Sequence, residues 1–438
     1  MRKHLFVVIL TLILSFTLFT VLAADLESSG SIDSVLEIDP NNEMISDKEE
    51  INLILEKDYG FNASMYLDLE INSSRVSAEA LPNGGTYQYP VNDRQTEIKI
   101  NRAYLNYYTK NIDWTLGKQD INWGSGFEIN PTSYFNPVDQ TAFEPLQNKL
   151  GVSGVSGIYY GSNNIEITSV VVPFFNTNKT NDLESNHQIT TINKKVTSGL
   201  SQELSAITGT PITVNLASTA PYKITEVKDD IDNMQTGIKI TKRSVANYDY
   251  SLSAYQGRDM SPLVDMNATS STIDLSTGDL AATVHYVYPE VDKLGVNIIG
   301  QINEVGTWVE LAYSQYQDEQ FDNRLEIISG VDYKFNNNLY LIGQNYYKEG
   351  RSNLESDINL TVLHAEKPVF DFHDFEGDLK YESETKTLIT ELEFLYSLSN
   401  STKLIFGGSY LTSDQDEDSL VVSNLGSDKL YTRLKIDF

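Results

Sequence analysis

Catalysis needs a nucleophile, a base and an orienting group within reach of one another, and this sequence offers few such sets. Beyond the first two dozen residues the histidines are His187, His285, His364 and His373. None stands in a nucleophile–base pattern. There is no Gly-x-Ser-x-Gly, no phosphate-cradling loop and no pair of histidines at zinc spacing. The densest constellation is Phe370-Asp371-Phe372-His373-Asp374-Phe375-Glu376-Gly377-Asp378. Carboxylates with one imidazole are a donor set for a hard divalent ion, but the spacing matches no defined loop geometry, and the better reading is a solvated external loop. The acidic run Ser413 to Asp418 reads the same way. The expectation is therefore no enzyme, no cofactor and no metal.

The rest of the chain says where charged side chains would be displayed. Arg2 and Lys3 precede an apolar run from Leu5 to Leu22 that ends at Ala23-Ala24-Asp25, the pattern of a cleaved signal peptide over 1–24. No later stretch of about 18 apolar residues could form a transmembrane helix, so any membrane span must be made of strands. The absence of cysteine removes disulfides and thiolate metal sites, and 26 Tyr against 3 Trp and 12 Pro suits long strands joined by polar loops. With 32 basic and 61 acidic residues the formal charge is -29, which argues against nucleic acid because phosphate contacts need Lys and Arg.

From about residue 61, segments of roughly ten residues alternate with period two, as strands do when one face meets lipid and the other a lumen. Leu388, Thr390, Leu392, Phe394, Tyr396 and Leu398 share one face, with Glu391, Glu393 and Ser397 opposite. In the last strand Leu430, Thr432, Leu434, Ile436 and Phe438 alternate against Tyr431, Arg433, Lys435 and Asp437. A charge facing lipid costs about 2–4 kcal/mol at mid-membrane, so Arg433 and Lys435 must face inward. Fourteen strands follow, near 61–72, 96–109, 112–119, 151–160, 163–173, 235–243, 247–257, 290–303, 307–316, 325–335, 338–347, 387–398, 402–411 and 428–438. Long loops alternate with short turns, as the even-stranded bacterial barrels require. Residues 281–289 read as an upper extension of the strand that follows them. Glu50 to Lys57 also alternates and would raise the count to sixteen with one more partner. Residues 25–60 are expected as a periplasmic arm or plug, and 61–438 as an all-β, antiparallel up-and-down transmembrane barrel.

The inferred lumen face carries Lys239, Asp249, Glu310, Glu326, Asp332, Lys334, Glu391, Glu393, Lys403, Arg433 and Lys435. Charges of both signs can set a field across a pore, or can simply pair across neighbouring strands to keep the interior wet.

One segment stands apart from the strand pattern: Leu116-Gly117-Lys118-Gln119-Asp120-Ile121-Asn122-Trp123-Gly124-Ser125-Gly126-Phe127, then Ile129-Asn130-Pro131 and Tyr134-Phe135-Asn136-Pro137-Val138-Asp139. Here the sequence resembles the porin-like outer-membrane barrels related to alginate-export channels, in which a Gly-Arg/Lys-Gln strand end runs into Trp-Gly and Asn-Pro turns. The resemblance implies a channel. Physically, two Asn-Pro pairs favour tight turns and the glycines allow close backbone approach. A loop so stiffened could fold inward as a constriction, with Lys118, Gln119, Asn122 and Asp139 near the pathway and Trp123 as an anchor, or could form a rigid external hairpin.

The expected protein is thus a bacterial outer-membrane channel for passive diffusion of small hydrophilic solutes, in contact with outer-membrane lipid and delivered by the barrel-assembly machinery through its C-terminal strand. The alternative is a plugged structural or binding barrel whose acidic outer loops engage divalent ions or envelope polymers. Oligomeric state is open.

Overall fold

The computed structural model describes residues 26–40, 44–76, 94–140, 148–179, 187–216, 222–273, 280–350, 355–370, 372–413 and 428–438. The expected signal segment lies outside these residues, as does all but Ser413 of the acidic run. Strands β1 (Leu26–Ile38), β2 (Met44–Tyr59), β3 (Ala63–Val76), β4 (Gln95–Tyr108), β5 (Ile112–Gln119), β6 (Val152–Tyr160) and β7 (Ile165–Val172) form one wall in chain order. β8 (Val214–Leu216) and β9 (Tyr222–Ile224) leave it, β10 (Gln235–Val245) and β11 (Tyr248–Arg258) resume it, and β12 (Leu263–Val264), β13 (Ser270–Ile273) and β14 (Leu280–Val287) leave it again. β15 (Glu290–Ile302), β16 (Val305–Tyr316), β17 (Arg324–Lys334), β18 (Tyr340–Lys348), β19 (Ile358–Val369), β20 (His373–Glu382), β21 (Thr387–Ser399), β22 (Thr402–Thr412) and β23 (Lys429–Asp437) complete it.

These wall strands make one 18-stranded antiparallel sheet, closed where β23 pairs with β1 from Ser31↔Asp437 to Ile38↔Leu430. Phe438 finishes the seam: Gly30 N–H donates to its carbonyl at 2.8 Å, and its own N–H donates back to Gly30 O at 2.9 Å. Closure leaves the wall without a free edge, which matters for any sheet immersed in lipid.

The count corrects the expectation of fourteen or sixteen strands. All fourteen expected strands are present, and four more join them. β1 and β2 occupy residues assigned to an arm or plug; the partner that the 50–57 alternation lacked is β1, paired with it from Leu26↔Lys57 to Ile38↔Met44. β19 and β20 form a hairpin within the supposed 348–386 loop. The Phe370 to Asp378 constellation is therefore not an external loop. β19 ends at Val369 and pairs there with His373, His373 to Asp378 belong to β20, and Asp371 lies outside the described residues. Among the described residues no three metal-ligating side chains converge.

Alternation decides which way each strand faces. Leu392 and Leu398 on β21, Phe406 and Tyr410 on β22 and Leu430 on β23 are exposed on the outside, whereas Ile389, Leu395 and Tyr431 are buried on the inside. At the turn end Asn247, Asn303 and Asn338 adopt positive φ, a conformation Asn tolerates in tight turns. At the other end, two long connections build a small body of their own. β14 is its central strand, antiparallel to β12 and β13 and parallel to β8 and β9. Residues 281–287 thus belong to this second sheet and do not extend β15. Helix α1 (His187–Thr208) packs on it through Val196 and Leu200, one turn apart, against Val284, Tyr286 and Tyr222. Gly209, at φ +68, ends the helix with an N–H bond to Ser205 O.

Candidate functional site

Between β5 and β6, residues 120–139 fold into the barrel. At its base Asn136 accepts from Ile121 N–H at 2.7 Å and donates to Leu150 O at 2.8 Å, so the second Asn-Pro pair closes the loop on itself. Arg102 of β4 ties down the start through Asp120 at 2.6 Å, while also holding Asp68 of β3 at 2.9 Å.

Beyond that base the loop meets the inward faces of strands far along the chain. Trp123 packs edge-on against Phe135 at 5.2 Å and Tyr134 at 6.0 Å, and Tyr255 of β11 closes the cluster. Phe135 is fully buried, worth about 1.5–3 kcal/mol of apolar burial. The wall makes room for these rings with glycine: a Cβ on Gly237 of β10 would lie 2.7 Å from Phe135 and 2.9 Å from Trp123, and one on Gly295 of β15 would collide with the Tyr134 hydroxyl. Further on, Phe127 and Ile129 pack on a second apolar cluster of Trp308, Ile328, Ile342, Leu360 and Val362.

Polar contacts fix the register of the loop. The fully buried Glu310 of β16 accepts from the backbone N–H groups of Ser125, Gly126 (2.7 Å) and Thr132 (3.3 Å), and from the Thr132 hydroxyl at 2.8 Å. Gln344 of β18 holds Phe127 at both backbone groups, each at 2.8 Å. Asn297 of β15 accepts from the Ser125 hydroxyl at 2.9 Å. At the far tip Glu128, a non-glycine residue at φ +59, forms an ion pair with Lys380 of β20 at 2.9 Å. The loop therefore crosses the interior as a chord, from β4–β5 to β20.

The two sides of the chord differ. Against β6–β18 its rings pack in apolar clusters set among the buried polar groups of Glu310, Gln344 and Asn297. The remaining arc, from β20 through β23 and β1 to β4, is lined by charge. Arg433 donates to Asp33 at 2.7 Å, Lys429 to Glu37 at 3.0 Å and Lys99 to Glu70 at 2.6 Å. On β20 and β21 the register sets Glu376 opposite Glu393 and Asp378 opposite Glu391, like charges facing across the pair. Tyr431 donates to Glu393 at 2.5 Å and also reaches Glu391, and His364 pairs with Asp378 at 2.9 Å.

Most residues singled out from sequence face this interior. Glu391, Glu393, Lys403, Arg433 and Lys435 share the inward face of β21–β23. Their partners differ from the expected cross-strand set, because Arg433 pairs with Asp33 on β1. Gln119 is buried, donating to Gly154 O at 3.2 Å and accepting from Ser156. Asn122 accepts from Lys149 at 3.1 Å, and Asp139 is held by Lys179 at 3.2 Å.

Lys118 is a correction. The bonding register pairs it with Ala103 and Ser153, on the outward face with Leu116 and Trp114, and its ammonium donates to Ile100 O at 2.6 Å. The Gly-Lys-Gln motif thus splits across the wall, with Gln119 inside. Replacing Lys118 by Gln is expected to leave single-channel conductance unchanged, whereas a change in current would return it to the lumen. The sequence reading missed Asp33, Glu37, Lys48, Glu50, Asp68, Glu70, Lys99 and Arg102; those on β1 and β2 were lost with their strands, and those on β3 and β4 were available from the same alternation.

Solved structures place this fold. The chain is similar to the outer membrane protein OpdK from Pseudomonas aeruginosa, with a TM-score of 0.52 and 8% identity over 94% of this chain and 98% of that one. It is similar also to OccAB2 of Acinetobacter baumannii (TM-score 0.54, 8% identity, 94% and 97% covered) and to OccAB3 of the same organism (0.52, 9%, 95% and 99%). These likenesses define the class of the fold, a closed β-barrel of the outer-membrane type. By sequence, no family model and no curated protein matches the chain.

Proposed function

We propose that this protein is a porin-like channel of the bacterial outer membrane through which small hydrophilic solutes diffuse passively, after residues 1–24 direct its export. The observation that carries this reading is the chord itself: a stiff loop pinned across a closed barrel, leaving one charged arc of wall beside it. A lumen narrowed by a fixed loop and lined by charge can sort solutes by size and charge with no energy source but their gradient. Glu391, Glu393, Lys403, Arg433 and Lys435 would line the path, and Gln119, Asn122, Trp123, Asp139 and Glu310 would build or hold the constriction. The terminal strand ending in Phe438 would serve as the recognition signal for barrel assembly. The relation to alginate-export channels rests on the Trp-Gly and Asn-Pro loop, so acidic sugar oligomers belong among the solutes to be tried.

Purified protein in planar bilayers tests the proposal. Stepwise, ohmic single-channel currents are expected. A barrel that inserts but carries no current would favour the plugged reading, in which the interior is filled and the outer body of α1 and β14 does the binding.

A further inference from the structure

On one stretch of the outer wall, polar side chains face the lipid. Strand alternation turns Ser329 of β17, Asn345 of β18 and Thr361 of β19 outward in a single row, set by the pairs Ser329↔Asn345 and Asn345↔Thr361, and Asn359 is the next outward residue of β19. Ser329 is the middle residue of β17 and Asn345 stands next to the middle of β18. The row therefore lies within the apolar belt, bordered by the exposed Val309, Val331, Leu363 and Leu379. Its members satisfy one another only in part. Asn345 Nδ2 donates to Asn359 Oδ1 at 2.8 Å and to Thr361 Oγ1 at 3.1 Å. Among the described residues Asn345 Oδ1, Asn359 Nδ2 and the Ser329 hydroxyl then have no partner. Hydrocarbon offers neither water nor any other polar group, so each is costly to leave there.

We propose that this face joins two copies of the chain, docked back to back on β17–β19 about a twofold axis along the membrane normal. Depth selects the occupant. Barrels with short turns at one end and long loops at the other insert in one direction, so a second copy carries its Ser329, Asn345 and Asn359 at the depth where these stand. Each amide then meets the donor or acceptor its twin lacks. An acyl chain has neither, and lipid headgroups do not reach the middle of the belt. A twofold axis sets this patch against itself, whereas a threefold ring would set it against a different, apolar part of the wall and leave the row unmatched. Gly343, also outward on β18, leaves room for the approach. Nothing within the chain requires a glycine there, because an added Cβ would make only ordinary contact, 3.5 Å from Leu363. Small residues of this kind let surfaces in lipid come close.

The chain contains no cysteine, so a single introduced thiol reports contact across the axis. In lipid vesicles at low protein density, oxidation with copper phenanthroline is expected to turn most Gly343→Cys protein into a disulfide-linked dimer. Ile98→Cys, at an exposed position of β4 on the opposite side of the wall, is expected to remain monomeric. Stepwise photobleaching of labelled protein in the same vesicles is expected to count two copies per assembly. Combining Asn345→Leu with Asn359→Leu should leave the barrel folded, as the compact form on unheated SDS gels reports, and weaken the association about tenfold. Linking through Ile98→Cys and not Gly343→Cys, or a count of one or three, overturns the dimer. Undiminished association of the double leucine variant overturns the role given to the amides. None of these measurements depends on current, so they stand or fall apart from the channel reading.

Discussion

Replacing Glu310 by Ala is expected to raise single-channel conductance about twofold and to make the current noisy, because it frees the chord from the wall. The carboxylate accepts from three backbone N–H groups and two hydroxyls of the loop, and its burial is complete. Without it those donors lose their acceptor, at about 1–3 kcal/mol for each group left stranded, the buried Thr132 above all. The wall, whose own ladder of hydrogen bonds does not involve the side chain, should survive, so the loss falls on loop position. Glu310→Gln separates charge from shape: it keeps one acceptor oxygen but turns an amide N–H₂ toward backbone donors, and should move conductance the same way by less. Recording both variants at fixed salt checks this, and unchanged current in Glu310→Ala would mean that the rings of Trp123 and Phe135 hold the loop by themselves.

Deleting Phe438 is expected to abolish the compact form that folded barrels show on unheated SDS gels. Its carbonyl and its N–H are the last two bonds of the seam, both to Gly30. The glycine is required by proximity, since a Cβ there would stand 2.8 Å from the Phe438 ring and collide with the Asn52 carbonyl of β2. Gly30→Val should therefore behave like the deletion, although it lies over 400 positions away in the chain. Folded yield after refolding into detergent is the measurement, and a normal yield for both variants would show that the eight register pairs from Ser31↔Asp437 to Ile38↔Leu430 suffice.

The wall was legible wherever one face of a strand is apolar and the other is not. β21 and β23 show this cleanly, and their phase correctly turned Glu391, Glu393, Arg433 and Lys435 inward. The pattern faded for two physical reasons. On β1 the outward side interleaves Leu26, Ile32, Leu36 and Ile38 with Ser28, Gly30 and Ser34, and the inward side carries Val35, so the two faces contrast weakly. On β19 the inward side is apolar as well, because Leu360 and Val362 pack against the loop residues Phe127 and Ile129, and alternation disappears when both faces are buried. Each lapse removed a whole hairpin, so loops and turns kept their correct ends although four strands were missing. The site was legible as a motif but not as a place. Two Asn-Pro pairs and a Trp-Gly step signalled a stiff loop, whereas its seat is built from Gly237, Gly295, Glu310 and Gln344, whose relation to it is purely tertiary. Lys118 went astray because a bonding register, not the motif, decides on which side of the wall it emerges.

The chord also orders events in time. Ser125 and Phe127 find their partners 185 and 217 positions later in the chain, and Glu128 finds Lys380 after 252. Contacts so distant in sequence form slowly, since the intervening chain must first be brought round. The seam between β1 and β23 joins residues farther apart still, from Ser31↔Asp437 to Ile38↔Leu430. The partners of the loop all precede β21, so the filter can be seated before the wall around it is closed.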